Sequence, residues 1–88
     1  MLYMIIERFK GRNAAPIYDR LRRLGRMMPD GLTYLDSWIE TNDDRCFQLM
    51  ETDDPQTFAA WTASWSDLME FEIVPVTTSA AMRDCFAT

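Results

Sequence analysis

Four apolar, strand-like runs alternate with two helical patterns along the chain, and this order constrains the fold more than any other feature. The runs are rich in aliphatic and aromatic residues and are bounded by polar or turn-forming residues. They cover Leu2–Phe9, Leu32–Glu40, Arg45–Glu51 and Phe71–Val76. One helical pattern follows the first run, and the other separates the last two. The predicted order is therefore β-α-β-β-α-β.

Both helical patterns carry start signals and an apolar face. Asn13 can cap the first helix, whose apolar positions repeat at helical spacing as far as Met28. Asp54 followed by Pro55 starts the second helix, because a carboxylate caps the free N–H groups and proline is tolerated in the first turn. We interpret the apolar face of the second helix as core packing. It consists of Phe58, Trp61, Trp65 and Leu68.

This order predicts an α+β, ferredoxin-like fold. Right-handed crossovers place both helices on one face of a four-stranded antiparallel sheet and leave the other face open. Pro75 lacks a backbone donor, which fits the last strand lying at the sheet edge. The 88 residues predict a single domain, with a core of residues 2–77 and a C-terminal extension of residues 78–88. Ser79 could cap a short helix in that extension, ending at Phe86.

Alternation along each strand assigns side chains to the covered or the open face, and charge decides between the two assignments. One of them would bury Glu7, Asp36 and Glu72 beneath the helices at a cost on the order of several kcal/mol each. We therefore predict that the helices cover Leu2, Met4, Ile6, Leu35, Ile39, Phe47, Leu49, Phe71 and Ile73. The open face then carries Tyr3, Ile5, Glu7, Tyr34, Asp36, Trp38, Cys46, Gln48, Met50, Glu72, Val74 and Val76.

The open face assigned in this way is too aromatic for water and too polar for a dry core. Such a mixture is typical of a surface that a second subunit covers around a cavity. A chain of 88 residues is also marginally stable alone. We therefore predict a homodimer through the open face, with a small, partly aromatic organic molecule between the two sheets. The candidate ligand-binding residues are Tyr3, Tyr34, Trp38, Gln48 and Met50.

Two further hypotheses use the same face. In the first, the protein is a cofactor-independent isomerase or monooxygenase, in which a carboxylate shielded from water acts as general base. The candidate bases are Glu7, Asp36 and Glu72. In the second, the protein serves only for dimerisation, and the interface is filled.

Several chemistries are excluded by composition. The chain has no histidine, which excludes Ser-His triads, imidazole zinc sites and histidine-ligated haem. Its two isolated cysteines and three glycines form neither a thiolate site nor a phosphate loop. We therefore predict no metal and no cofactor. Strand Arg45–Glu51 lacks the signature of RNA-recognition domains, and the acidic face argues against a nucleic-acid partner.

The charges are unevenly distributed along the chain. From Arg8 to Arg26 there are seven basic residues and one acidic residue, whereas from Asp30 to Glu72 there are eleven acidic residues and one basic residue. We interpret this as mutual neutralisation within the fold or across a subunit interface, and the alternative is a basic patch that attracts a small anion. The N-terminal apolar run is too short for a signal peptide, and no apolar stretch could span a bilayer, so we predict a cytoplasmic protein without a membrane partner.

Segments along nearly the whole chain, from Met1 to about Ser79, resemble a bacterial family of small domains of unknown function. These segments are Met1–Phe9, Ser37-Trp38, Arg45–Glu51, Trp65–Leu68 and Phe71-Glu72. The resemblance implies the dimeric α/β-barrel group, in which two ferredoxin-like protomers pack their sheets face to face. Relatives in that group include cofactor-independent monooxygenases, muconolactone-type isomerases, haem-handling enzymes and ligand-binding domains. Because these functions differ, the resemblance implies a fold and a dimer but no activity.

Overall fold

The computed structural model describes residues 1–42 and 44–87, and it confirms the predicted order of elements. The strands are β1 (Leu2–Phe9), β2 (Thr33–Ile39), β3 (Arg45–Glu51) and β4 (Met69–Val76). The helices are α1 (Ala15–Leu24), α2 (Thr57–Ala63) and α3 (Ser79–Ala87), with a 3-10 turn at Lys10–Arg12. Asp43, in the predicted hairpin connection, and Thr88, in the predicted extension, lie outside the described residues.

The four strands form one antiparallel sheet in the order β2-β3-β1-β4. This is the predicted ferredoxin-like arrangement, and β4 lies at an edge, where Pro75 is tolerated. Helices α1 and α2 lie on the same face of the sheet. The ring of Tyr3 contacts Phe58 of α2 at 5.0 Å between centroids, and Ile17 of α1 is buried in the same core.

The ends of the helices differ in part from the prediction. Helix α1 ends at Leu24 rather than near Met28, because Gly25 and Met27 adopt φ values of 67° and 56°, outside the helical region. The segment that follows can therefore turn back over the sheet. The C-terminal helix is confirmed as α3, which holds no buried residue.

The predicted assignment of faces is wrong for β1 and β3. Ile5 and Glu7 are 0% and 5% exposed, and Tyr3 contacts α2 directly. Antiparallel partners share a face, and Glu7 pairs with Cys46 of β3 and with Phe71 of β4, whose ring contacts α2. The helices therefore cover Tyr3, Ile5, Glu7, Phe9, Cys46, Gln48 and Met50.

The assignment is correct for β4 and for the second half of β2. A bulge between Tyr34 and Asp36 shifts the register of β2, which sends Tyr34 to the covered face and leaves Asp36 on the open face. Leu35, predicted beneath the helices, lies at this bulge and is exposed. The open face is thus an apolar band with charged ends. Its apolar members are Leu2, Met4, Ile6, Trp38, Phe47, Leu49, Val74 and Val76.

Candidate functional site

A cavity of about 130 Å³ lies between the covered face of the sheet and helices α1 and α2. Most of its wall is apolar or aromatic, formed by Phe9, Ile17, Leu21, Ile39, Trp61, Trp65 and Met69. A few polar side chains also line it, namely Glu7, Tyr18, Arg26, Ser37 and Gln48. Apolar walls with a small number of polar groups are typical of sites for small organic molecules.

Glu7 is the acidic group of this cavity. Burial on β1 raises the pKa of its carboxyl group from 4.5 to about 7, and this shift is opposed by a hydrogen bond from the Cys46 thiol and by the positive charge of Arg26. Among residues 1–42 and 44–87, no cationic group forms an ion pair with Glu7 within 4.0 Å. Glu7 can therefore gain or lose a proton near neutral pH inside an aromatic-walled cavity.

Cys46 supports Glu7 from the neighbouring strand. Burial, followed by the nearby charge of Glu7 and the hydrogen bond to it, raises the pKa of the Cys46 thiol to about 12. The thiol is therefore protonated at physiological pH, and it donates to the carboxylate. This makes Cys46 a poor nucleophile.

Native alkylation tests this state of Cys46. We expect iodoacetamide at pH 8 to modify the exposed Cys85 of α3 and to leave Cys46 unmodified, because the thiolate is the reactive species and Cys46 is both buried and protonated. Intact mass spectrometry should show one adduct on the native protein and two adducts after denaturation in urea. A Cys85→Ser variant that gains an adduct at the same rate as the wild-type protein, without denaturant, would contradict this expectation.

The loop after α1 places Arg26 at the cavity. Its backbone carbonyl accepts hydrogen bonds from the indole Nε1–H groups of Trp61 and Trp65, at 3.2 and 3.1 Å. Its guanidinium group lies over the ring of Tyr34, 3.7 Å from the centroid. The loop is thus held from α2 through the backbone and from β2 through the side chain.

The bulge in β2 determines which polar group of that strand reaches the cavity. Because the register shifts between Tyr34 and Asp36, Ser37 pairs with Gln48 and shares the covered face with it. The hydroxyl groups of Tyr34 and Ser37 are 2.7 Å apart and form a hydrogen bond. Without the extra residue, alternation from Tyr34 would turn Ser37 to the open face.

The predicted site residues fall into two separate groups. Glu7 and Gln48 line the cavity together, Tyr34 contacts the Arg26 that lines it, and Tyr3 and Met50 are buried in the same core. The other three predicted residues, Asp36, Trp38 and Glu72, lie on the open face. They do not share a site with Glu7.

Of the twelve residues that line the cavity, only Glu7 and Gln48 were predicted as site residues. The ten that were not include Arg26, Ser37, Trp61 and Trp65. The two tryptophans were recognised as a buried stripe and interpreted as core packing, which the structure confirms. Trp61 and Trp65 are four residues apart, which places them on one side of a helical segment. This spacing was the feature of the sequence that could have indicated a shared cavity wall. Nothing in the local sequence distinguishes Arg26 from the other arginines of its segment.

A family model matches residues 1–88, the whole chain. The chain belongs to the DUF3303 family, a domain of unknown function. This confirms the resemblance to a family of unknown function that the sequence segments indicated. No curated protein and no solved structure gives a significant match.

Two other kinds of site are absent from the described part of the chain. None of the helices formed by residues 1–42 and 44–87 is long and apolar enough to cross a membrane. Within the same part of the chain, no three acidic or cysteine side chains converge on a point where they could hold a metal ion.

Proposed function

We propose that this DUF3303 domain binds a small organic molecule, about the size of one substituted ring, in the cavity beneath α1 and α2. The observation that carries the proposal is a buried carboxyl group, Glu7, facing a cavity walled by two tryptophans. The volume of about 130 Å³ is close to that of an engineered cavity of roughly 150 Å³ that binds benzene. Polar anchors are available from Glu7 and Gln48.

This location differs from the one predicted between two sheets. Glu7 and Gln48, which the prediction placed there, lie beneath the helices of a single protomer. The ligand site can therefore be complete within one chain.

Protein-observed NMR tests the binding proposal, because the indole N–H signals of the three tryptophans report on two different surfaces. We expect at least one of phenol, benzamide and benzoate to shift the signals of Trp61 and Trp65 with millimolar or tighter affinity. The signal of Trp38, on the open face, is the internal control and should not move. A Leu21→Trp variant, which fills the cavity, should bind none of the three probes. Unmoved Trp61 and Trp65 signals with all three probes would contradict the proposal.

We also propose that the open face is the interface of a homodimer. It presents an apolar band that a chain of this size gains stability by burying. Arg45 and Glu51 lie at opposite ends of β3 on this face, and Arg45 also pairs with Glu40 of its own chain. A two-fold axis through the middle of the strand would set the arginine of one copy against the glutamate of the other, which favours a second copy as the partner.

The raised pKa of Glu7 favours one alternative function, a cofactor-independent enzyme such as an isomerase. A carboxyl group that titrates near pH 7 is suited to take and return a proton. The test is exchange of the α C–H protons of cyclohexanone in D₂O. Faster exchange with the wild-type protein than with a Glu7→Gln variant supports proton transfer by Glu7, and equal rates contradict it.

A further inference from the structure

We infer that the ligand of the cavity is a small aromatic carboxylate, with its ring against Trp61 and Trp65 and its carboxylate between Arg26 and Glu7. The inference rests on the proposed binding function and names the chemical class of the ligand. The binding proposal describes the size of the ligand and leaves its charge open.

The first observation is the fixed position of Arg26. Two indole N–H groups hold its backbone carbonyl, and the adjacent Met27 is held at a φ of 56°, which an L residue rarely adopts. A side chain on such a backbone approaches the cavity from a defined direction. The cavity therefore has a cation built into its wall.

The second observation is the state of the Arg26 guanidinium group. It lies over the Tyr34 ring, and stacking of this kind leaves the N–H groups at the edge of the guanidinium plane available as donors. Within the described part of the chain, no carboxylate lies within 4.0 Å of it. Other arginines of the same segment do have acidic partners, since Arg20 pairs with Asp67 and Arg23 pairs with Asp19. The guanidinium group of Arg26 is therefore available to donate hydrogen bonds to an anionic ligand.

The third observation is the charge balance of the cavity. With Glu7 protonated, the site carries the single positive charge of Arg26, so one negative charge on a ligand makes the complex neutral. The protonated carboxyl group of Glu7 then donates a hydrogen bond to the ligand carboxylate. With Glu7 ionised, its own charge repels the ligand, so binding requires the protonated form.

The pH dependence follows from the groups that face Glu7. The groups that act on Glu7 are the Cys46 thiol of β3 and Arg26 of the α1–β2 loop. Tyr18 of α1 lines the same cavity and Tyr34 of β2 contacts Arg26, whereas Trp61 of α2 and Trp65, just after α2, are not ionisable. The pKa of Glu7, at about 7, lies near neutral pH. Benzoate affinity should be nearly constant at mildly acidic pH and should fall about tenfold per pH unit above 7.

The shape of the cavity favours a flat ring. Its apolar wall includes two indoles, which gain contact and stacking energy from an aromatic partner. Its volume holds about one six-membered ring, which leaves the carboxylate at the polar end near Arg26.

Benzoate and benzamide, which share size and shape and differ in charge, provide the test. We follow the indole signals of Trp61 and Trp65 at pH 6 and pH 8. Benzoate should bind at least tenfold more tightly than benzamide at pH 6, and about tenfold less tightly at pH 8 than at pH 6. In a Glu7→Gln variant, the affinity for benzoate should not depend on pH.

Arg26→Met keeps an unbranched apolar side chain near Tyr34 and removes the guanidinium group with its charge. We expect it to weaken benzoate binding at least tenfold and to change benzamide binding less than twofold, whereas the exposed Arg23→Met serves as the matched control and changes neither. If Arg26→Met does not fold, the comparison of benzoate with benzamide on the wild-type protein decides alone. Equal affinities for the two probes would overturn the carboxylate inference and leave the binding proposal standing, and no shift with any probe would overturn both.

Discussion

A Glu7→Gln variant is expected to abolish most of the pH dependence of stability between pH 5 and pH 8. The carboxyl group titrates at about 7 in the folded protein and near 4.5 when exposed, so the folded state holds its proton more tightly. The stabilising contribution is fully present below pH 4.5, falls as the pH rises and is lost above 7. For the wild-type protein this loss is about 3 kcal/mol. Glutamine has no such proton, so its free energy of unfolding should be nearly flat.

Urea denaturation at pH 5, 6, 7 and 8 measures this difference. At pH 8 the variant should be more stable than the wild-type protein by about 2 kcal/mol, because an amide is buried there in place of a carboxylate. The chain has no histidine, which leaves few other side chains to titrate in this range. The exposed Asp84→Asn in α3 is the control and should follow the wild-type curve. A Glu7→Gln curve parallel to that of the wild-type protein would show that Glu7 is not buried as described.

A Leu49→Glu variant is expected to be monomeric under conditions in which the wild-type protein is expected to form the proposed dimer. Leu49 lies on the open face, paired with Met4 at the centre of the apolar band. In a two-fold interface the substitution places two unpaired carboxylates in the buried centre, which should raise the dissociation constant at least about 1,000-fold, or roughly 4 kcal/mol. Sedimentation equilibrium at micromolar concentration measures the mass directly.

The matched control for this variant is Ala60→Glu, which adds the same charge at an exposed position of α2. It should remain dimeric. Circular dichroism should show the same fold for both variants. A monomeric wild-type protein, or equal masses for Leu49→Glu and the wild-type protein, would rule out the open face as the interface.

The order of elements and most strand boundaries could be predicted because each depends on local signals. Strands β1 and β3 have the predicted ends, since charged or turn-forming residues bound compact apolar runs. The end of α1 was predicted too late. Gly25 was the available signal for its C-terminus, and the apolar spacing that continues to Met28 concealed it.

The faces of β1 could not be predicted in the same way, because both of its faces are apolar. Tyr3 and Ile5 on one side and Met4 and Ile6 on the other are equally suited to a core. The acidic residues Glu7, Asp36 and Glu72 therefore decided the prediction. An ionised carboxylate at this position would be costly to bury. The buried group instead has a pKa near 7, and the cost of burial falls because it can be protonated.

The cavity depends on contacts between residues that are distant in sequence. Arg26 reaches it through hydrogen bonds from Trp61 and Trp65, and Ser37 reaches it through a bulge that no local pattern indicates. A register shift of one residue decides which side chains meet. Such a shift depends on pairing with the neighbouring strand, and the sequence of β2 alone does not indicate it.

Glu7 lies buried beneath the helices at the cavity, and its pKa of about 7 lets it exchange its proton near neutral pH. The most direct measurement is the ¹³C chemical shift of the Glu7 side-chain carboxyl group, assigned by its absence in Glu7→Gln and followed from pH 3 to pH 9. We predict a midpoint near pH 7 in the free protein, moving to higher pH when benzoate is bound. A midpoint near 4.5 that benzoate does not move would contradict both the burial of Glu7 and the site built on it.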